Sequence, residues 1–121
     1  MLYAILCYHD EAEVNSWPKE KDDAVLAKRA VVQQKLATAG KLGPVARLMP
    51  TTAATTVRVS REQVVIDGPF AETKEQLLGF YVVDCASLDE AIATARDIGR
   101  DESGALEIRP LRLFYPGTHT A

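Results

Sequence analysis

Two short apolar runs constrain the fold of this chain more than any other feature. Residues 2–8 (LYAILCY) and residues 77–85 (LLGFYVVDC) are dominated by apolar side chains and show no regular polar face. Runs of this length are too short to span a membrane, which takes about 20 residues. They are typical of strands that are covered on both faces. The sequence therefore predicts two core strands whose two faces both need cover.

Helix signals follow each of these runs. Ser16 is predicted to cap a helix over residues 19–39, with Pro18 in its first turn and Gly40 as its left-handed stop. Ser87 and Glu90 form a capping-box pattern before a second helix that ends near Gly99. The inner face of that second helix is predicted to carry Leu88, Ala91, Ile92 and Ala95.

The rest of the chain is predicted to be extended. Residues 41–48 and 105–115 read as single strands, and residues 55–60 and 63–67 as a hairpin with a turn at 60–62. The resulting order is the split β-α-β of a ferredoxin-like α+β fold with an inserted hairpin. At 121 residues this is one domain over 1–121, with a core of about 1–116 and a tail over 117–121. Two helices cover only one sheet face, so we expect a homodimer to cover the other.

Composition excludes several functional classes. The net charge is −3 and basic residues do not cluster, which argues against direct nucleic-acid binding. No membrane span or signal peptide is recognisable, so a cytoplasmic protein is expected. Cys7 and Cys85 are expected to be free, buried thiols. With only His9 and His119, and without a phosphate loop, zinc spacing or Ser/His/Asp pattern, no metal or cofactor is expected.

Charged side chains gather near the turn at residues 67–69. Asp67 could act as a base at the mouth of a cleft, or simply accept backbone N–H bonds in its own turn. Glu72 and Lys74 follow, either as ligand contacts or as a solvated surface ion pair. His9 ends the first strand and should share one end of the sheet with this loop, because neighbouring antiparallel strands run in opposite directions. A lone histidine at a strand end is either a ligand contact or an ordinary exposed loop residue.

Two polar residues lie on the apolar arc of the first predicted helix. Arg29 and Gln33 are one turn apart there, so they either reach out to its edge or line a cavity. We favour a cavity in which Arg29 binds an anionic group and Gln33 orients it. Tyr81 and Arg109 are further candidates on their strands, although packing also explains Tyr81.

The string at residues 67–77 (DGPFAETKEQL), followed by Gly79-Phe80-Tyr81, resembles the signature of the DGPF domain in the YCII-related superfamily. The resemblance implies a dimeric α/β barrel. Some such proteins are encoded beside, or fused to, alternative sigma factors. Related proteins include a dehydrochlorinase of a chlorinated aromatic, thought to use a His–Asp pair with the His on the first helix. That position corresponds here to Arg29, whose guanidinium stays charged and cannot serve as a general base.

Three functions follow as hypotheses. The first is a module that binds a small anionic or aromatic metabolite between the first helix and the sheet, with a regulatory link to sigma-factor signalling. The second is a cofactor-independent lyase or isomerase with Asp67 as base and Arg29 as anion clamp. The third is a purely structural dimer.

Overall fold

The computed structural model describes residues 1–59 and 64–120. It is an α+β domain with a four-stranded sheet, a separate two-stranded hairpin and three α-helices. In chain order the elements are β1 (Leu2–His9), α1 (Glu11–Ser16), α2 (Lys19–Thr38), β2 (Leu42–Arg47), a 3-10 turn (Thr51–Ala53), β3 (Thr55–Val57), β4 (Val65–Asp67), β5 (Gln76–Asp84), α3 (Leu88–Ile98) and β6 (Ala105–Pro110).

The two apolar runs form the two middle strands of the main sheet. Its order is β2-β5-β1-β6, and every neighbouring pair is antiparallel. The predicted pairing of the first and third core strands is confirmed, with Ile5 opposite Tyr81. The sheet is open, with β2 and β6 as its edges, and forms no closed barrel within the described residues.

Burial alternates strictly along β1. Tyr3, Ile5, Cys7 and His9 are buried, while the residues between them are half-buried. The buried set meets Ala91, Ala95 and Ile98 of α3, so this face carries the core. Within one chain the helices cover only this face of the sheet, as predicted, and leave the opposite face partly exposed.

The start of the helical region differs from the prediction. Ser16 does not cap α2; it is the last residue of α1, a short helix that the prediction missed. The Asp10 carboxylate caps α1 by accepting the Ala12 N–H at 3.0 Å. α2 then begins after Pro18, whose fixed φ suits a helix start, and Gly40 follows its end with φ 69° as predicted.

The second half of the chain follows the prediction with two corrections. Ser87 caps α3 by accepting the Glu90 N–H at 3.2 Å, but Leu88 is 53% exposed and does not join the inner face. The last strand is shorter than predicted and ends at Pro110, which has no N–H to donate. The β3–β4 hairpin is confirmed, while its predicted turn lies outside the described residues. Among the helices described here, none is long and apolar enough to cross a membrane.

Candidate functional site

Helix α2 stands over a cavity along part of its length, while Val32 and Leu36 in its C-terminal half pack against the core. It has 20 residues, and none of them is buried. The half-buried stripe facing inward includes Asp22, Val25, Arg29 and Gln33, at the spacing of one helix face. Because charged and amide groups interrupt this stripe, close apolar packing would strip them of water at a cost. The space beneath the helix is a cavity of about 490 Å³.

The walls of this cavity are mainly apolar. They come from α1, α2, α3 and the sheet, and include Val14, Trp17, Val25, Leu26, Ile92 and Leu106. Trp17 is the single tryptophan of the sequence. Its indole Nε1 is buried and has no hydrogen-bond partner within the described part of the chain. A buried N–H without an acceptor is costly, so this donor would gain from any acceptor that reaches it.

His9 sits at one end of the cavity and is only 7% exposed. Its Nε2 lies 2.8 Å from the Ser103 Oγ. Its Nδ1 lies 3.3 Å from the Asp10 carbonyl oxygen and 3.5 Å from the Glu13 carboxylate. The Trp17 ring meets the imidazole edge-on, with ring centroids 5.8 Å apart. Contacts on several sides therefore fix the orientation of the imidazole.

Arg29 lies in the cavity wall, as predicted, but it is already paired. Its Nη2 and Nε donate to the Glu102 carboxylate at 2.8 and 3.2 Å. Lys28 donates to the same carboxylate at 2.6 Å. Burial alone would raise the Glu102 pKa, but these hydrogen bonds lower it below its ordinary value. The cluster of two cations and one carboxylate keeps one positive charge in excess.

Cys7 lies beside this cluster. Its Sγ is 3.9 Å from Nη1 of Arg29, and burial raises the pKa of the thiol despite that cation. Cys7 and Cys85 are both free and buried, as predicted. A neutral, buried thiol is a packing group and a poor nucleophile.

The YCII-related domain model matches residues 1–115. The chain belongs to the YCII-related domain family. An uncharacterized protein of Rhizobium meliloti (strain 1021) is 59% identical to it over 120 residues, which cover 97% of each chain.

This YCII-related domain brings together four of the predicted site residues. His9, Arg29, Gln33 and Tyr81 all line the cavity, which therefore lies between the first long helix and the sheet as predicted. His9 also pairs with Gln76, so it shares a sheet end with the chain that follows the signature loop.

The other predicted site residues do not line the cavity. Asp67 is exposed on β4, and Lys74 is exposed in the loop. Glu72 lines a separate, shallow depression beside Glu11. Arg109 pairs with Ala4 in register and so projects from the opposite face of the sheet. No group of three or more metal-ligating side chains comes together in residues 1–59 and 64–120.

Three cavity residues of this YCII-related domain were missed by the sequence prediction. Trp17 could have been noticed as the only indole, placed next to a helix start. Glu102 and Ser103 carry no recognisable motif, because the turn after α3 brings them to α2 and β1 only in the folded chain.

Proposed function

We propose that this YCII-related domain binds a small, largely aromatic metabolite carrying an anionic group, in the cavity beneath α2. The observation that carries the proposal is a largely apolar cavity with Trp17 in its wall; the buried Nε1–H of this residue has no partner in residues 1–59 and 64–120. The volume of about 490 Å³ lies in the range of small-molecule sites. A ligand oxygen that reaches this donor would supply a hydrogen bond that residues 1–59 and 64–120 do not supply.

The charges of the cavity favour an anion. Lys28, Arg29 and Glu102 together carry one excess positive charge at the cavity edge. Arg29 is held by its ion pair, so it attracts an anion as part of this cluster and does not act as a free clamp. Gln33, one turn along α2, adds an amide that can donate or accept.

The cavity supports ligand binding by a regulatory module better than it supports the lyase or isomerase hypothesis. The base of that hypothesis, Asp67, is exposed on the hairpin and absent from the cavity lining. A sensor needs only shape and charge in its cavity, and both are present. A functional link to an alternative sigma factor, suggested by the signature string, belongs to this proposal.

We also propose that two copies pair through the open face of the sheet as a dimeric α/β barrel of ferredoxin-like type. On this face Ala4, Leu6 and Tyr8 of β1 are half-buried in the single chain. Phe80 lies opposite Leu6 and extends the apolar surface onto β5. Burying such a surface against a second copy removes it from water.

Cavity binding can be tested with anilinonaphthalene sulfonate, a fluorescent aromatic anion. Val25→Phe fills the cavity from α2, whereas Val31→Phe places the same ring on the outer side of the same helix, where Val31 is 70% exposed. We expect saturable dye binding to the wild type and to Val31→Phe, and its loss in Val25→Phe. Equal binding to both variants would refute the cavity as the site.

A further inference from the structure

We propose that His9 and Ser103 form a base–nucleophile pair that hydrolyses carboxylic esters entering the cavity, with Glu13 as a positioning residue. This activity rests on the proposed ligand cavity, because the acyl group would occupy it. The sequence showed no Ser/His/Asp pattern. The structure nevertheless brings together Glu13 of α1, His9 at the end of β1, and Ser103, which lies 94 positions after His9.

The hydrogen bonds around His9 select the tautomer that a general base needs. Its Nδ1 faces two acceptors, the Asp10 carbonyl oxygen at 3.3 Å and the Glu13 carboxylate at 3.5 Å. Nδ1 therefore carries the proton, and Nε2 presents its lone pair. The Ser103 hydroxyl donates to that lone pair across 2.8 Å. This is the geometry of a serine activated by an oriented imidazole.

The loop that presents Ser103 is held firmly on both sides of it. Glu102, next to Ser103, is anchored by Lys28 and Arg29 of α2. Gly104, on the other side, adopts φ +97° and touches β1 so closely that an added Cβ would lie 2.8 Å from the His9 ring. A nucleophile needs fixed placement against its base, and this loop supplies it.

Access and charge stabilisation come from the same cavity. Ser103 is exposed and lines the cavity with His9, so its oxygen is open to a bound carbonyl group. Trp17 lines the same space, and its buried Nε1–H has no partner in the part of the chain that the structure describes. A buried donor of this kind favours the oxygen of a carbonyl group, and favours it more as negative charge develops there.

The reaction is an ordinary acyl transfer to water. The Ser103 oxygen bonds to the ester carbonyl carbon while its proton passes to His9 Nε2. The bond from carbon to the alkoxy oxygen then breaks, and the alcohol leaves with that proton. A water molecule next attacks the acyl-serine and gives a proton to Nε2. The Ser103 oxygen departs and takes this proton back, releasing the carboxylic acid.

The test uses a fluorophosphonate label and p-nitrophenyl butyrate on the full chain. Ser103→Ala removes the hydroxyl that bonds to His9, and Ser87→Ala is the control because Ser87 caps α3 away from the cavity. We expect the label on Ser103, and ester hydrolysis that falls about 100-fold or more in Ser103→Ala. Ser87→Ala should keep both labelling and wild-type turnover.

Glu13→Gln tests the positioning role, since Glu13 is half-exposed and its loss should leave the fold intact. We expect kcat to fall about 10-fold with KM unchanged, the pattern of a group needed only in the transition state.

Binding of anilinonaphthalene sulfonate should persist in Ser103→Ala. Dye binding by a wild-type chain whose Ser103 is neither labelled nor needed for hydrolysis would overturn the esterase proposal while leaving the cavity proposal standing. Ser103 labelling without dye binding would overturn the aromatic anion as the ligand class, while the cavity would remain the site of the acyl group.

Discussion

Arg29 on α2 and Glu102 in the turn before β6 are joined by two hydrogen bonds, of 2.8 and 3.2 Å, across 73 residues of sequence. The pair connects two walls of the cavity, and the Glu102 side chain is only 7% exposed. No residue of α2 is fully buried, so this ion pair and the neighbouring Lys28 contacts anchor the helix together with Val32 and Leu36, which pack against the core.

Glu102→Gln should destabilise the domain by about 2 kcal/mol, because it leaves two cations without their buried carboxylate. Asp97→Asn is the matched control. Asp97 pairs with Arg100 on the surface, where loss of an ion pair costs about 0.5 kcal/mol or less. Urea unfolding, followed by Trp17 fluorescence, gives the loss in free energy of unfolding for each variant. Equal losses for Glu102→Gln and Asp97→Asn would contradict the anchoring role of Glu102.

The contribution of Glu102 to the free energy of unfolding should depend on pH. Burial opposes its ionisation, but hydrogen bonds from Arg29 and Lys28 hold its pKa below the ordinary 4.5. A carboxyl group whose pKa is lower in the folded than in the unfolded state stabilises the fold at pH values above its unfolded-state pKa. This stabilisation is lost as the pH falls through its folded-state pKa. The difference in the free energy of unfolding between wild type and Glu102→Gln should therefore be largest at neutral pH and should decrease below about pH 4.5. A gap that is constant with pH would contradict this assignment.

Local patterns in the sequence predicted the secondary structure well, and tertiary contacts account for most of what it missed. The two apolar runs form the two middle strands of the sheet, where each strand is hydrogen-bonded to a neighbour along both of its edges. The helix face carrying Arg29 and Gln33 was readable from its period, so the cavity could be placed. The local error at Ser16 arose because Asp10 offers a competing cap six residues earlier.

The chemistry of the cavity was less accessible to sequence reasoning. Ser103 and Glu102 meet His9 and Arg29 only because β6 runs antiparallel to β1 and returns the turn after α3 to the end of β1. The signature loop drew attention to Asp67, yet the hairpin that carries it forms its own small sheet apart from the cavity.

Gly104→Ala should be far more damaging than Gly68→Ala. Both glycines have nearly the same positive φ, +97° and +98°, so both pay a similar backbone strain. Only at Gly104 would the new Cβ collide, 2.5 Å from the Tyr8 carbonyl oxygen, whereas Gly68 has open space. We expect thermal unfolding to show an extra loss of about 2 kcal/mol for Gly104→Ala. Equal losses of stability in the two variants would contradict this expectation and show that the turn before β6 shifts to accommodate the new Cβ.

Leu6→Lys should convert the proposed homodimer to a monomer. Leu6 lies on the open face of the sheet, between Phe80 on β5 and Glu107 on β6. A lysine there would bring a charge into the interface at a desolvation cost that a pair with Glu107 does not repay. Val31→Lys, on the exposed side of α2, is the control and should leave the dimer intact. Sedimentation velocity distinguishes the species; a monomeric wild type, or a dimeric Leu6→Lys, would contradict the proposed interface.

The most direct test of the central claim observes the Trp17 indole N–H itself. With a single tryptophan, the chain gives one indole N–H signal in a nitrogen–proton correlation spectrum. Titration with anilinonaphthalene sulfonate should move this signal downfield and saturate together with the dye fluorescence, because the buried donor gains an acceptor. In Val25→Phe the shift should be absent. An indole signal that stays in place while the dye binds would contradict a ligand site in the cavity beneath α2.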